Sequence, residues 1–294
     1  MTSDPQRIIL LFLMALGMAV MPSPALSSDV IKSHKPTLVS LDYCADQYVL
    51  ALADRDQILA LSWEADQKHS FYQARAAGLP KFHGSMAEII NIQPDIAIQS
   101  FNVPGRNDAL MGRVGTALYT LTHGSDPEIV MDNLLQAGQK LSQASRAADL
   151  MEDYRARLDQ MRVLPKSKLR AAYVTPSGFT AGRGTFVDEI IQLAGFSSYA
   201  AARNLTGWQS LPLEDIILDP PDIFIASFFD SNLERQSGWS MARHKRLEKI
   251  LADIPTIFLP GRLLSCNGLF LVDAAEYIQE HIQEYMRAKA KKNE

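Results

Sequence analysis

The most informative feature of the chain is a pattern of apolar and polar positions that occurs twice. Residues 88–101 read as a short amphipathic helix, a Pro-Asp turn and a run of β-branched residues that ends in Ser-Phe, and residues 215–228 repeat this order with Pro221 in the place of Pro94. A helical period followed by a buried strand is typical of a βαβ unit. Because solenoid repeats have much shorter periods, the duplication predicts two lobes of similar build.

Strand and helix patterns alternate around each copy. The other predicted elements are strands over 37–41, 58–62, 170–175 and 254–259, helices over 45–53 and 186–194, and a terminal helix from Leu269. This alternation predicts an α/β fold of two Rossmann-like lobes, each with a parallel sheet covered by helices on both faces. Loops that bind a ligand should then lie at the carboxyl ends of the strands.

Residues 126–165 are predicted to be a bridging helical segment. No Gly or Pro occurs between Gly138 and Met161, and apolar residues recur at helical spacing from Ala147 onward. A flexible linker would instead be rich in Gly, Ser or Pro. We therefore expect a long rigid helix to join an N-terminal lobe at 29–125 to a C-terminal lobe at 166–294.

The first residues have the three-part layout of a secretory signal. Arg7 precedes an apolar run from Ile8 to Met21, and prolines and small residues follow as far as Ser28. This run is shorter than the roughly 20 residues that a membrane-spanning helix needs. We expect residues 1–28 to be a cleavable signal peptide and the mature protein to be a periplasmic monomer.

Charge and motif content exclude several function classes. The net charge of -4 and the pI near 5.9 are unlike the basic surface of a protein that binds nucleic acid. The sequence contains no Gly-x-Ser-x-Gly elbow, no phosphate-binding loop with Lys and no His-Glu-x-x-His zinc motif. We therefore predict a protein that is not an enzyme and that carries no cofactor of its own.

Two cysteines, Cys44 and Cys266, stand at strand-to-helix turns of opposite predicted lobes. In an exported protein such a pair can form a lasting disulfide. The alternative is that helix N-termini lower the pKa of the thiols, so that one or both contact a soft metal or the ligand, with His83 as a helper. The sequence leaves both interpretations open.

Taken together, these features resemble the helical-backbone (class III) periplasmic binding proteins of cobalamin, iron-siderophore and heme ABC importers. The resemblance rests on the segment 38–47, the two helix-turn-strand copies, the bridging helix and the segment 179–185. It implies that the lobes clamp a bulky metal chelate, either a corrinoid such as cobalamin or a ferric siderophore, and deliver it to an inner-membrane permease. The alternatives are a periplasmic chelate or heme chaperone or sensor and, more remotely, a hydrolytic enzyme.

Large planar ligands are held mainly by aromatic and apolar contacts, which makes aromatic side chains at strand ends the first candidates. The resemblance matches Phe179 and Trp208 to cleft aromatics of the cobalamin branch and puts Phe82 at the mouth of the cleft. The remaining ligand-binding candidates are Tyr43, Cys44, Trp63, His83, Phe101, Phe228 and Cys266, with Arg183 and Arg262 as partners for carboxylate or amide oxygens.

The same resemblance implies a glutamate at the tip of each lobe that docks on arginines of the permease. Glu214 stands seven residues before Pro221, where the pattern requires it. The corresponding position of the first lobe is Ala87, and Glu88 follows it. For both glutamates the structural alternative is a charge that complements the helix dipole.

Overall fold

The structure is a computed structural model that describes residues 34–101, 108–175, 178–227, 254–266 and 270–293. Its strands are β1 (Leu38–Ser40), β2 (Ile58–Ser62), β3 (Lys81–Phe82), β4 (Ile96–Gln99), β5 (Ala117–Thr120), β6 (Arg170–Val174), β7 (Phe179–Ala181), β8 (Ser197–Ser198), β9 (Trp208–Ser210), β10 (Ile223–Ala226) and β11 (Thr256–Phe258). Its α-helices are α1 (Tyr43–Leu52), α2 (Met86–Ile92), α3 (Asp108–Arg113), α4 (Pro127–Lys140), α5 (Ala144–Arg162), α6 (Phe186–Leu193), α7 (Tyr199–Ala202), α8 (Leu213–Leu218) and α9 (Leu271–Asn293).

The described strands form two parallel sheets, one in each lobe. The first has the order β3-β2-β1-β4-β5 and the second the order β11-β10-β6-β8. All pairs within both sheets are parallel. A separate antiparallel ribbon pairs β7 with β9. The two-lobed α/β fold predicted from the alternation of strands and helices is therefore confirmed, and the ribbon is an addition that the pattern did not predict.

Both faces of each sheet are buried, as expected of parallel sheets. Along β1, Leu38 packs into one apolar cluster and Val39 into another, because successive side chains of a strand point to opposite faces. Along β10, Ile225 and Phe224 likewise pack into different apolar clusters on opposite faces of the sheet. The larger cluster includes residues of both lobes and of the bridging helices. A continuous core of this kind opposes free movement of the lobes.

The two copies of the duplicated segment fold alike. In the first lobe Asp95 accepts a hydrogen bond from the backbone N–H of Thr37 at 2.7 Å, and in the second Asp222 accepts one from the backbone N–H of Arg170 at 2.7 Å. Each Pro-Asp turn thus ties the end of a helix to the beginning of the neighbouring strand. The repeated Asp therefore has a structural role in both lobes.

The bridging segment contains two helices where the spacing predicts one. Helix α4 ends at Lys140 and α5 begins at Ala144, after a turn in which Ser142 has a φ of 56°. The helices pack closely at Gly138, where a Cβ atom would lie 2.2 Å from the Cβ of Ala147. The long helix of the prediction is α5, and Gly138 permits the close contact. None of the described helices combines the length and apolarity that crossing a membrane requires.

Candidate ligand-binding site

A cavity of about 520 Å³ lies between the lobes, at the carboxyl ends of the central strands. Its volume is within the range of ligand pockets, roughly 300–1,000 Å³. The cavity is lined by aromatic, hydroxyl and glycine residues of both lobes. This is the position that the strand-end argument predicts for a binding site.

The first-lobe wall begins with a hydrogen-bonded junction between α1 and β4. Asp42 caps α1 by accepting a hydrogen bond from the N–H of Ala45 at 2.9 Å, and it also accepts from the N–H of Ser100 at 2.7 Å. This junction sets Tyr43 beside Phe101, with ring centroids 6.4 Å apart. Both rings line the cavity. A single carboxylate thus orders two of the predicted ligand contacts.

The loop after β5 completes the first-lobe wall. Asn133 on α4 accepts a hydrogen bond from the N–H of Thr122 and donates one to the carbonyl of Thr122, both at 2.9 Å. The next residue, His123, is exposed and lies beside Phe101 with ring centroids 6.2 Å apart. Tyr43, Phe101 and His123 therefore form a row of rings along this wall.

The second-lobe wall is built from the β7–β9 ribbon and the start of α6. Trp208 and Phe186 line the cavity with their ring centroids 6.5 Å apart, and Trp208 also meets Tyr173 edge-on at 5.8 Å. At Gly182 the backbone approaches the Leu205 carbonyl so closely that a Cβ atom would lie 2.3 Å from the oxygen. This explains the glycine in the segment 179–185, because any side chain there would displace the ribbon that carries Trp208.

The cysteines form a disulfide, Cys44–Cys266, that joins the lobes in the wall of the cavity. Two further contacts join the lobes near the bridge: Ser265 donates a hydrogen bond to the His69 carbonyl at 2.6 Å, and Phe71 stacks on Phe270 with centroids 4.9 Å apart. The hypothesis of a reactive thiol is wrong for this state, because bridged sulfurs have no thiolate to offer a metal. The cysteines border the site as a covalent connection.

No Arg, Lys, Asp or Glu occurs among the described residues that line the cavity. Burial, with a smaller effect from the carboxylates of Glu64 and Asp42, raises the pKa of Tyr43, and burial also raises the pKa of Tyr48. Both side chains therefore remain neutral phenols near pH 7. Within the described part of the chain, no three His, Cys, Asp or Glu side chains are grouped as a metal site would require. The walls offer aromatic faces and neutral hydrogen-bonding groups.

Of the other aromatic candidates, Trp63 and Phe179 are exposed but do not line the cavity. Trp63 follows β2, and Phe179 stands on β7 opposite Ser210. Phe82 departs from the expectation that it lies at the cleft mouth. Its side chain is 3% exposed and packs in the outer core of the first lobe with Ile89. Phe228 is outside the described residues.

The polar candidates also lie outside the cavity. Arg183 donates a hydrogen bond to the Ala201 carbonyl at 2.8 Å, and Arg262 is exposed on a short 3-10 helix. His83 is exposed, with Nδ1 3.2 Å from Glu88. Of the described candidates, those that the structure brings together around the cavity are Tyr43, Cys44, Phe101, Trp208 and Cys266.

The two docking candidates differ in their surroundings. The carboxylate of Glu88 accepts hydrogen bonds from the N–H groups of His83 and Ser85, and these bonds hold its pKa below the ordinary value. Together with the Ser85 side chain it forms a capping box at the start of α2. Glu214 is exposed in the first turn of α8, with no hydrogen bond or ion pair to the described part of the chain.

Sequence reasoning missed Tyr48, Phe186 and His123. Tyr48 lies in the interior of a predicted helix, and Phe186 is the first residue of another. His123 follows β5, a strand that the apolar pattern does not predict because its positions are only partly buried. The same rule that selects residues after buried strands would have selected His123 if this edge strand had been identified.

Comparison with known proteins agrees with this geometry. A family model described as "Periplasmic binding protein" matches residues 38–256. A cobalamin-binding protein of Halobacterium salinarum is 21% identical over 220 residues, which make up 72% of this chain and 59% of that protein. The chain therefore spans less than two thirds of the length of that relative.

The solved structures that share the fold include two from Vibrio cholerae. The periplasmic vitamin B12-binding protein of Vibrio cholerae has a TM-score of 0.65 and 18% identity, covering 85% of this chain and 97% of the other. The periplasmic heme-binding protein of the same organism has a TM-score of 0.68 and 20% identity, covering 84% and 98%. At these identities the likeness concerns the fold alone.

Proposed function

The chain belongs to the family of periplasmic binding proteins, and from this we propose that it captures a corrinoid of the cobalamin type between its lobes. The corrinoid is then delivered to the permease of an ABC importer. In this proposal the protein leaves the corrin ring and its side chains chemically unchanged. Binding and release are its whole activity.

The observation that carries this proposal is that aromatic walls face each other and that the described residues lining the cavity are uncharged. Tyr43 and Phe101 come from the first lobe, and Phe186 and Trp208 from the second. Aromatic faces on two sides suit a flat macrocycle. A heme or a carboxylate siderophore would bring carboxylates that call for arginine or lysine, whereas the amide substituents of a corrinoid need only neutral hydrogen-bonding groups.

The relatives give independent support for this choice of cargo. The halobacterial relative is named for cobalamin, and one of the two structures is a vitamin B12-binding protein. The other binds heme, which is also a flat metal macrocycle. Cobalamin is the cargo named for the halobacterial relative and for the vitamin B12-binding protein, and it also suits the uncharged residues that the structure describes in the cavity walls.

We also propose that the protein works in the periplasm after removal of residues 1–28. The apolar run after Arg7 supports export, and the disulfide suits an oxidising compartment. N-terminal sequencing of periplasmic material should give a start near Ser28. Recovery of the intact Met1 form from the membrane fraction would contradict this.

Native mass spectrometry of the purified oxidised protein tests the choice of cargo. Cyanocobalamin, cobinamide, hemin and a ferric hydroxamate siderophore are each added in slight excess. We expect a single 1:1 adduct with a corrinoid and none with the siderophore. Binding of hemin or the siderophore alone would contradict the proposal, as would the absence of any adduct. Normal corrinoid uptake in a strain that lacks the gene would favour the chaperone or sensor alternative.

A further inference from the structure

His123 is the only histidine among the described residues that line the cavity. Its ring is exposed, and within the described part of the chain neither ring nitrogen has a hydrogen-bond partner. The other described cavity residues with a polar aromatic side chain are Tyr43, Tyr48 and Trp208. The indole nitrogen of Trp208 is a hydrogen-bond donor only and has no lone pair available for a metal. Among the described residues that line the cavity, the imidazole of His123 is therefore the strongest candidate ligand for a metal.

The backbone on both sides of His123 is fixed. Before it, Leu121 is buried and its N–H donates to the Gln99 carbonyl at 2.8 Å, and Asn133 holds both backbone groups of Thr122. After it, Asp126 caps α4 by accepting a hydrogen bond from the N–H of Glu128 at 2.9 Å. Because the backbone of this loop is already ordered, it loses little conformational entropy when His123 binds a ligand. His123 is therefore a preorganised contact.

We propose that His123 coordinates the metal of the bound corrinoid from the first-lobe side of the cleft. This rests on the proposed function. One ring nitrogen donates its lone pair to cobalt, and the water that occupied that axial position leaves. The other ring nitrogen keeps its proton, and the cobalt stays Co(III), so no electron is transferred. Asn133 is a positioning residue for this contact.

The other donors of the cavity fit this task less well. The sulfurs of Cys44 and Cys266 are bridged to each other. Burial and neighbouring carboxylates raise the pKa of Tyr43, which disfavours the phenolate that a metal would need. Imidazole, in contrast, is a common ligand of transition metals.

The inference narrows the class of cargo. A corrinoid with an exchangeable axial position gains a bond to His123, whereas one with both axial positions occupied by cyanide does not. A ferric siderophore, in which the chelator itself saturates the metal, gains nothing from the imidazole. The protein should therefore prefer diaquocobinamide to dicyanocobinamide.

Visible absorption and isothermal titration calorimetry with these two probes test the inference. The wild-type protein should shift the corrin bands of diaquocobinamide in the direction that free imidazole produces, and should leave those of dicyanocobinamide in place. His123→Gln and His123→Ala should abolish the shift and weaken diaquocobinamide binding about tenfold or more. Both variants should change the affinity for dicyanocobinamide by less than about twofold, which is much smaller than the change expected when a metal bond is lost.

His281→Gln is the matched control, because His281 packs on Tyr277 in the terminal helix and does not line the cavity. It should retain the shift, and circular dichroism should show each variant folded. If both probes bind to the wild type with unshifted spectra, or if the shift persists in His123→Gln, the assignment of His123 is wrong while the proposed function stands. If neither corrinoid binds to the wild type, the proposed function falls and the inference falls with it.

Discussion

The two walls of the cleft are built in different ways although the two lobes share one architecture. In the first lobe the wall comes from the ends of the sheet strands, where Asp42 fixes Ser100 and Asn133 fixes Thr122. In the second lobe it comes from the start of α6 and from the β7–β9 ribbon, which is an addition to the parallel sheet. Duplication thus accounts for the scaffold, whereas the two lobes use different parts of their structure to form the binding surface. Hydrogen bonds hold the first wall in place. The position of the second wall depends on the close backbone packing at Gly182.

The largest expected effect comes from cutting the covalent connection between the walls. Replacing Cys44 and Cys266 together by Ser should lower the free energy of unfolding by about 2–5 kcal/mol, because the bridge no longer restricts the unfolded chain. Urea denaturation of the wild type and the double variant, both under oxidising conditions, measures this loss. Equal midpoints and slopes for the two proteins would mean that the disulfide is formed without contributing to stability.

Within the second wall, Trp208 and Phe179 are a matched pair on neighbouring strands. Trp208 lines the cavity and Phe179 does not, although their exposed fractions are similar at 46% and 43%. Trp208→Ala should weaken corrinoid binding by about 1–3 kcal/mol, roughly tenfold to a hundredfold. Phe179→Ala should weaken it less than about threefold, under 1 kcal/mol.

Calorimetric titration with cyanocobalamin distinguishes these two variants without relying on tryptophan fluorescence. A larger effect of Phe179→Ala than of Trp208→Ala would place the cargo on the outer side of the ribbon. Phe179, and not Trp208, would then be the main aromatic contact of the second lobe.

In the first lobe, Asp46 is fully buried and accepts hydrogen bonds from the N–H and the hydroxyl of Ser62. Burial raises the pKa of Asp46 to about 6 despite these bonds. Because the folded state then binds the proton more tightly than the unfolded state, the stabilisation is complete below about pH 4 and is lost as the pH rises through 6. Asparagine can keep both contacts with Ser62 without becoming charged.

Asp46→Asn should therefore gain stability relative to the wild type as the pH rises from 4 to 7, by an amount on the order of 2 kcal/mol. Thermal and urea unfolding across this range, with the exposed Asp149→Asn as the control, measure the difference. If the difference in unfolding free energy between Asp46→Asn and the wild type does not change with pH, Asp46 does not titrate between pH 4 and 7.

The smallest effect on the isolated protein is expected at the two candidate docking glutamates, Glu214 and Glu88. On the hypothesis that Glu214 docks on permease arginines, Glu214→Lys should leave corrinoid affinity unchanged and impair uptake, because the reversed charge would repel those arginines at that contact alone. Glu88→Lys should instead lower the stability of α2, since the Glu88 carboxylate completes its capping box. Normal uptake with Glu214→Lys at native expression would remove the docking role.

The sequence predicts the elements that have strong periodicity and fails where short elements decide the site. Strand 58–62 was predicted to the residue, and the two copies of the duplicated segment fold as expected. The edge strand β5 and the ribbon strands β7 and β9 were not predicted, because each has only three or four residues, too few to show a clear period. His123 was missed for this reason.

Whether an aromatic residue at the end of a strand lines the cavity or packs in the core depends on the direction of its side chain. Its position in the sequence does not determine that direction. Phe82 and Phe101 each follow or end a first-lobe strand, but Phe82 points into the outer core while Phe101 lines the cavity. Whether the cysteines would pair also depended on their approach in three dimensions, with Cα atoms 5.5 Å apart across 222 residues of sequence. Neither fact can be derived from local patterns.

The central claim is that one cargo molecule contacts both walls at once, and a double-mutant cycle on Phe101 and Trp208 tests it most directly. Cyanocobalamin binding to the wild type, Phe101→Ala, Trp208→Ala and the double variant is measured by calorimetry. The account predicts 1:1 binding to the wild type, a loss of about tenfold or more from each single substitution, and a further loss in the double variant. Unchanged affinity in either single variant would contradict the claim, because the cargo would then rest on one lobe or lie outside the cleft.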